Sequence, residues 1–361
     1  MADHELIEFV QQTTGESHFR VEQDYGNGFV RLESSEAERR QAKQDIRCVE
    51  DAVIEMLRNS RDAGAHLIFL ATSKAGNLRT LTMIDDGSGI PADLHKLVFE
   101  PRVTSKLDTF HEDKWGVHGR GMALFSIKEN AKDARVVASA PGMGSSLQVV
   151  FDTDRLTEKT DQSSMPVFVQ EEGRTLFRGP KNINRTVGEF SLDERGKSLV
   201  FLGSGIEIAA ALYDLGCKAL SDKERIFHKG LEAYPLYLRP SLASGPDELT
   251  EICQSLGLEL STRSARRIID GQIKRPPSFL ELLTAAQPKS ASEASAASRP
   301  KQRKKAVNLS EDDLQGFGTD VMGAYKNLAA AYYLNADVQP KVYVRDGELV
   351  VKVPLLPDDL Q

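Results

Sequence analysis

The sequence predicts an α+β sandwich over residues 36–155, with helices covering one face of a mostly antiparallel sheet. Three observations carry that expectation. Between Glu36 and Ala63 the apolar residues Ile46, Val49, Val53, Met56 and Leu57 recur at three- and four-residue steps, the period of a helix with one buried face, and Gly64 is a natural stop. His66–Thr72 and Leu78–Ile84 are short apolar, β-prone runs around Lys74-Ala75-Gly76-Asn77, which predicts a hairpin with a four- to five-residue turn. From Pro91 to His118 proline and charge mix with few periodic apolar positions. A second helix is then expected over Met122–Lys132, followed by strands over Ala134–Ser139 and Ser146–Phe151.

Residues 1–35 read as an N-terminal extension and 156–240 as a second, mixed α/β domain, with strands at Val167–Gln170 and Leu199–Leu202 and helices near 206–220 and 223–233. Residues 241–284 read as helical. Within them, Leu249, Ile252 and Leu256, a break at Gly257, and then Ser261–Ile269 with Arg263, Arg266 and Arg267 give the outline of a helix-turn-helix, although the turn is longer than usual. The stretch 285–306, rich in Ala, Ser, Pro and Lys without an apolar period, reads as a basic flexible linker. A C-terminal helix over Asp320–Asn335 and a hairpin around Asp346-Gly347 complete 307–361.

Composition narrows the function classes. The chain is 40% apolar and 27% charged, with a mean hydropathy of -0.35, and no apolar run approaches the roughly 18 residues of a membrane span. The start, MADHELIEFV, carries acids where an export signal carries bases and an apolar stretch, so a cytoplasmic location is expected. Cys48, Cys217 and Cys253 are odd in number, far apart and without C-x-x-C spacing, which argues against a disulfide framework or a thiolate metal site. The net charge of -7 is uneven: residues 1–155 hold 19 bases and 25 acids, whereas 263–305 hold 11 bases and 3 acids, a balance of +8. The acidic average therefore conceals one basic segment, a candidate contact for DNA.

The segment richest in chemistry is Glu55-Met-Leu-Arg-Asn-Ser-Arg-Asp62, which sets Glu55, Asn59 and Asp62 at i, i+4 and i+7 on one helix face. Magnesium takes oxygen ligands and keeps several waters, so the Asn59 amide oxygen together with nucleotide phosphates suffices to hold it. Glu55, one turn earlier, is placed to deprotonate a water aimed at a γ-phosphate. Downstream, Asp85-Asp-Gly-Ser-Gly89 follows a strand with glycines that let backbone approach a ligand. Gly116-Val-His-Gly-Arg-Gly-Met-Ala-Leu124 opens a helix whose free N–H groups favour phosphate, and Pro141-Gly-Met-Gly-Ser-Ser146 joins the last two strands.

These four segments, in this order, resemble the GHKL superfamily of ATP-binding domains, which takes in DNA gyrase, heat-shock chaperone ATPases, MutL-type and MORC ATPases and histidine kinases. The resemblance covers roughly residues 40–152. It implies a Bergerat-type sandwich that binds ATP and Mg2+, with Glu55 as catalytic base and Asn59 as magnesium ligand. Asp85 would take the adenine amino group, Gly87 and Gly89 would shape its pocket, and Ser145 or Ser146 would sit nearby, Ser145 being taken as the site residue. Gly119, Arg120 and Gly121 would cradle phosphates, with Asp62 and Met122 also in the site; residues 91–118 would be a lid carrying Lys106 toward a phosphate. Val98-Phe-Glu-Pro-Arg-Val-Thr-Ser-Lys106 shares features with both the kinase and the MutL branches. Glu55 four residues before Asn59 is the ATPase pattern, and the single helix from Glu36 leaves no room for a phosphoacceptor hairpin.

The expectation is therefore an Mg-dependent ATPase whose lid closure or homodimerisation acts on a macromolecule, either DNA through 248–305 or a protein. The alternative is a histidine kinase-like signalling protein or an ATP-binding sensor. Gly203-Ser-Gly205 imitates a dinucleotide-fold opening but lacks a β-α-β repeat, and reads as a tight turn.

Overall fold

The computed structural model of the chain describes residues 21–26, 28–105, 111–113, 116–118, 121–171, 174–286, 311–332, 335–345 and 348–354. They fall into two compact units, Met1–Pro288 and Lys289–Gln361.

In chain order the first unit opens with strands β1 (Val21–Gly26) and β2 (Phe29–Leu32) and helices α1 (Glu36–Asp45) and α2 (Val49–Asp62). The hairpin β3 (Leu67–Ala75) and β4 (Leu78–Asp85) follows, then 3-10 turns at Ala92–Leu94 and Leu97–Phe99, β5 (Val103–Thr104), and the pair β6 (His111–Asp113) and β7 (Gly116–His118). Next come α3 (Ala123–Asn130), β8 (Asp133–Ser139), β9 (Ser145–Asp152), β10 (Val167–Glu171), β11 (Arg174–Arg178), α4 (Ile183–Asp193), β12 (Leu199–Gly203) and α5 (Gly205–Ala219). Helices α6 (Asp222–Ile226), α7 (Pro246–Ser255), α8 (Thr262–Ile269) and α9 (Phe279–Ala286) complete it. The second unit holds α10 (Glu311–Tyr332) and the hairpin β13 (Lys341–Arg345) and β14 (Glu348–Lys352), around a small cluster of Tyr325, Ala329 and Val338.

The central sheet runs β12-β3-β4-β9-β8 and is antiparallel except where β12 lies parallel to β3, Leu199 beside Leu67. Because strand residues alternate faces, Ile68, Leu70, Leu81, Met83, Leu147, Val149 and Phe151 point to one side, where α2 brings Val49, Ala52, Val53, Met56 and Leu57 and α4 brings Val187 and Phe190. Phe69, Ala71, Ile84 and Phe201 point to the other side, where α5, α7 and α8 supply Ile208, Leu212, Leu249, Cys253, Ala265 and Ile268. Phe69 and Phe201 stack at 5.1 Å between centroids across the parallel pair. Each fully buried Val, Leu, Ile, Phe or Met side chain among them contributes about 1.5–3 kcal/mol.

Several expectations change. Helices cover both faces of the sheet, the second through α5, α7 and α8. The boundary expected at 155–156 falls inside one compact unit, because β12 completes the sheet that the earlier strands begin. The extension 1–35 contains β1 and β2, which pair with β5 in a three-stranded sheet. The single helix expected over Glu36–Ala63 is two helices, since Ile46 is extended at φ -95°, ψ 99° and Cys48 at φ -152°, ψ 168°. Asp51 holds that break by accepting from the Arg47 backbone N–H at 3.0 Å. The β3–β4 turn is tighter than expected: Ala75 already pairs with Leu78, and Gly76 takes φ +60°. Helix α6 stops at Ile226, before Gly230 at φ +125°. The linker expected at 285–306 lies outside the described residues beyond α9.

Candidate functional site

Glu55, Asn59 and Asp62 stand on successive turns of α2 and line a cavity of about 670 Å³, within the range of small-molecule sites. The other walls are the end of β4, the start of β9, Val98, Val103 and Thr104, and the first residues of α3. The local sequence explains the arrangement: the apolar stripe of α2 is anchored in the core, so its polar stripe is carried to the rim of the sheet.

Asp85, the last residue of β4, is 2% exposed. Its Oδ1 accepts from the Gly87 N–H at 2.9 Å, and its Oδ2 accepts from the hydroxyls of Ser60 at 2.9 Å and Ser145 at 2.7 Å. Burial pushes this carboxyl above the ordinary aspartate value; the bonds from Ser145, Gly87 and Ser60 oppose the shift without cancelling it. The result is a fixed acceptor at the floor of a cavity. Ser145 faces that floor, whereas Ser146, its neighbour on β9, points through the opposite face and donates to the Leu256 carbonyl at 2.8 Å. Ser60 was missed by sequence reasoning, although it directly follows Asn59 and so lies within the motif.

Two glycines are required by close approach. A Cβ on Gly87 would come within 2.8 Å of the Ala63 Cβ, and one on Gly89, at φ +73°, within 2.0 Å of the Ala140 carbonyl oxygen. Gly89 lines the cavity itself; Gly87 shapes it from behind through Asp85.

At the other end of the cavity, Gly121, Met122, Ala123 and Leu124 present the start of α3, whose N-cap Met122 makes no side-chain capping bond. Free N–H groups at a helix start suit an anion. The Asn59 Nδ2 is buried without a hydrogen-bond partner, so the side chain of this cavity residue is not used up by the fold. Glu55 is ion-paired with the buried Arg58, and Asp62 with Arg61 at 3.0 Å; neither arginine contact was anticipated. Among the described residues no group of three or more His, Cys, Asp or Glu side chains could hold a metal, and an Asn59 amide with a ligand's own oxygens is the donor set that suits magnesium. Lys106, Gly119 and Arg120 lie outside the described residues. The first half of the expected lid is packed, with Leu94, Val98 and Phe99 in the core.

The remaining signals resolve as structure. Ser204 caps α5 and Glu207 bonds back to it, so a carboxylate occupies the turn after β12. Cys48 and Cys253 are buried free thiols, pushed up by burial to about 11 and about 12.

Residues 46–170 match the family described as histidine kinase-, DNA gyrase B- and HSP90-like ATPases. The chain is 31% identical over 183 residues to the DNA mismatch repair protein MutL of Thermus thermophilus, covering 45% of this chain and 32% of that protein. It is 37% identical over 105 residues to MutL of Staphylococcus aureus, covering 28% of this chain and 15% of that protein. It thus spans about a third or less of the length of these relatives. No described helix is long and apolar enough to cross a membrane. With four motifs converging on one cavity beneath a five-stranded sheet, residues 46–170 are an ATP-binding domain of the GHKL superfamily.

Proposed function

We propose that the cavity binds Mg-ATP and that the chain hydrolyses it, with residues 91–118 as a lid whose closure over the nucleotide lets the chain act on a macromolecule. The observation that carries this reading is the buried Asp85 carboxylate, held by Ser60, Ser145 and the Gly87 N–H at one end of a cavity whose other end is the uncapped start of α3. Asp85 accepts from the adenine amino group, while Gly87 and Gly89 keep the turn close. The N–H groups at Gly121 and Met122, with Gly119, Arg120 and Lys106, hold the phosphates. Asn59 holds magnesium, which when bound neutralises phosphate charge and orients the reacting group; Asp62 supports this end of the cavity. Glu55 takes the proton from the attacking water. Arg58 beside it fixes the carboxylate and must share it for that transfer. The relatives are named for DNA mismatch repair, and DNA is the partner assigned here to 248–305, with a nucleotide-dependent homodimer as the switching state.

The test is incubation of the full chain with γ-labelled ATP and magnesium. Free phosphate is expected, with turnover falling by about 10²- to 10⁴-fold in Glu55→Ala while nucleotide still binds. Label retained on the protein, or transferred to another, would replace hydrolysis by a kinase reaction. Unchanged turnover in the variant would remove Glu55 from the chemistry.

A further inference from the structure

Helices α7 and α8 form a pair on the sheet face opposite the cavity. Leu249 and Cys253 of α7 and Ala265 and Ile268 of α8 are buried between them, α5 and the sheet. On a helix, positions 263, 266 and 267 fall on one side and 265 and 268 on the other. Arg263, Arg266 and Arg267 are accordingly exposed, and none of them makes an ion pair or side-chain hydrogen bond among the described residues. Residues 261–275 contain five bases, including Lys274 and Arg275, against the single acid Asp270; Arg275 is itself bound to Glu281 and Asp214. Three guanidinium groups are thus held outward on a helix of about 12 Å, with a second helix bracing it.

The brace is tied to the nucleotide site. The α7–α8 connection enters at Gly257, φ +77°, whose carbonyl accepts from Gln148 Nε2 at 3.1 Å and Thr82 Oγ1 at 3.2 Å. The preceding Leu256 carbonyl accepts from Ser146. Ser145 and Ser146 are consecutive on β9, so one strand holds Asp85 on one face and the helix pair on the other.

We propose that α8 enters the major groove of duplex DNA, with Arg263, Arg266 and Arg267 on phosphates and base edges, and that β9 couples this surface to the nucleotide cavity. The proposal rests on the reading of DNA as partner and adds the surface that meets it. B-form DNA has a major groove about 12 Å wide that admits a helix, whereas the A-form groove of double-stranded RNA is too deep and narrow. Unpaired arginines on a short braced helix match that shape. Coupling is reciprocal: whatever bound nucleotide does to DNA affinity, DNA does to nucleotide affinity.

The experiment titrates the full chain, without nucleotide, into a fluorescein-labelled duplex of about two helical turns and follows anisotropy from about 50 to about 200 mM salt. The parent is expected to bind with steep salt dependence. The triple variant Arg263→Ala, Arg266→Ala, Arg267→Ala should bind at least about tenfold more weakly, with a log–log salt slope shallower by up to about 2.7, three contacts at about 0.9 each. Its melting temperature and ATP affinity should match the parent, because the replaced groups are exposed and far from the cavity. Equal binding by parent and variant would leave DNA as a partner but overturn α8 as its contact. No binding by the parent, or tighter binding to double-stranded RNA of the same sequence, would overturn both. A second series adds a non-hydrolysable ATP analogue with magnesium, which should shift the parent's DNA affinity, and Ser146→Ala should diminish that shift. A shift of equal size in Ser146→Ala overturns the coupling. Failure of the analogue to bind the parent overturns the ATP reading and the coupling together, while the nucleotide-free titration still decides the surface.

Discussion

Asp85 is a carboxyl held where its ionisation is disfavoured, and that gives the site a signature in pH. Its folded pKa is raised above the ordinary 3.8, so its contribution to stability is full below that value and is lost as pH rises through the folded pKa. Replacing it by Asn removes the titration. The melting temperature of Asp85→Asn relative to the parent should therefore climb as pH rises from 3.8 through the raised folded pKa, while ATP binding is lost; a relative melting temperature that falls as pH rises would contradict the burial argument. Asn59→Ala should lose Mg-ATP binding in calorimetry, and binding as tight as the parent's would move the magnesium elsewhere. At this scale the sequence was most informative: Glu55, Asn59 and Asp62 share a helix face by spacing alone, and Asp85 follows from a strand ending in Asp-Asp-Gly. Ser60 escaped because its role depends on which atoms meet across α2 and β4, and helical period carries no such information; the Arg58–Glu55 pair lies at i, i+3 on α2, a spacing that the sequence does display.

Elements were legible where their signal is local and blurred where a side chain overrides it. The apolar period runs continuously from Ile46 to Leu57, yet Asp51 reaches back to the Arg47 N–H and ends one helix before the next begins. Gly76-Asn77 makes the tight β3–β4 turn because Gly76 accepts a positive φ. Helix α9 shows how a single pair secures an element. Bonds from Arg275 at 2.7 and 2.9 Å hold the Glu281 carboxyl at about 2, far below its usual 4.5. A lowered folded pKa contributes stability above the unfolded value and loses it as pH falls through the folded one. Glu281→Gln should thus lower the melting temperature at pH 7, and the gap should close as pH drops from 4.5 toward about 2. A pH-independent gap would make the effect one of packing rather than charge.

For the whole molecule, the sandwich of residues 36–155 was readable, but its closure was not. The parallel partner of β3 comes from Leu199–Gly203, and the second helical layer comes from residues beyond 204. Those pairings join distant stretches whose own patterns carry no sign of their neighbours. Nucleotide binding should act on this unit as one body: at about 100 times its dissociation constant, Mg-ATP analogue should add about 2.7 kcal/mol and raise the first unit's melting temperature by about 5 °C. Calorimetry without any such rise would contradict the assigned cavity.

The late arrival of β12 also bears on how the chain is made. A ribosome adding roughly 5–20 residues per second needs on the order of ten seconds to pass from the end of β3 at Ala75 to Leu199. Throughout that interval β3 offers Ile68, Phe69 and Leu70 along an unpaired strand edge, the kind of edge that recruits strands from other chains. The nascent protein therefore passes through a vulnerable window set by the position of β12 in the message, and slower translation across that span lengthens the exposure.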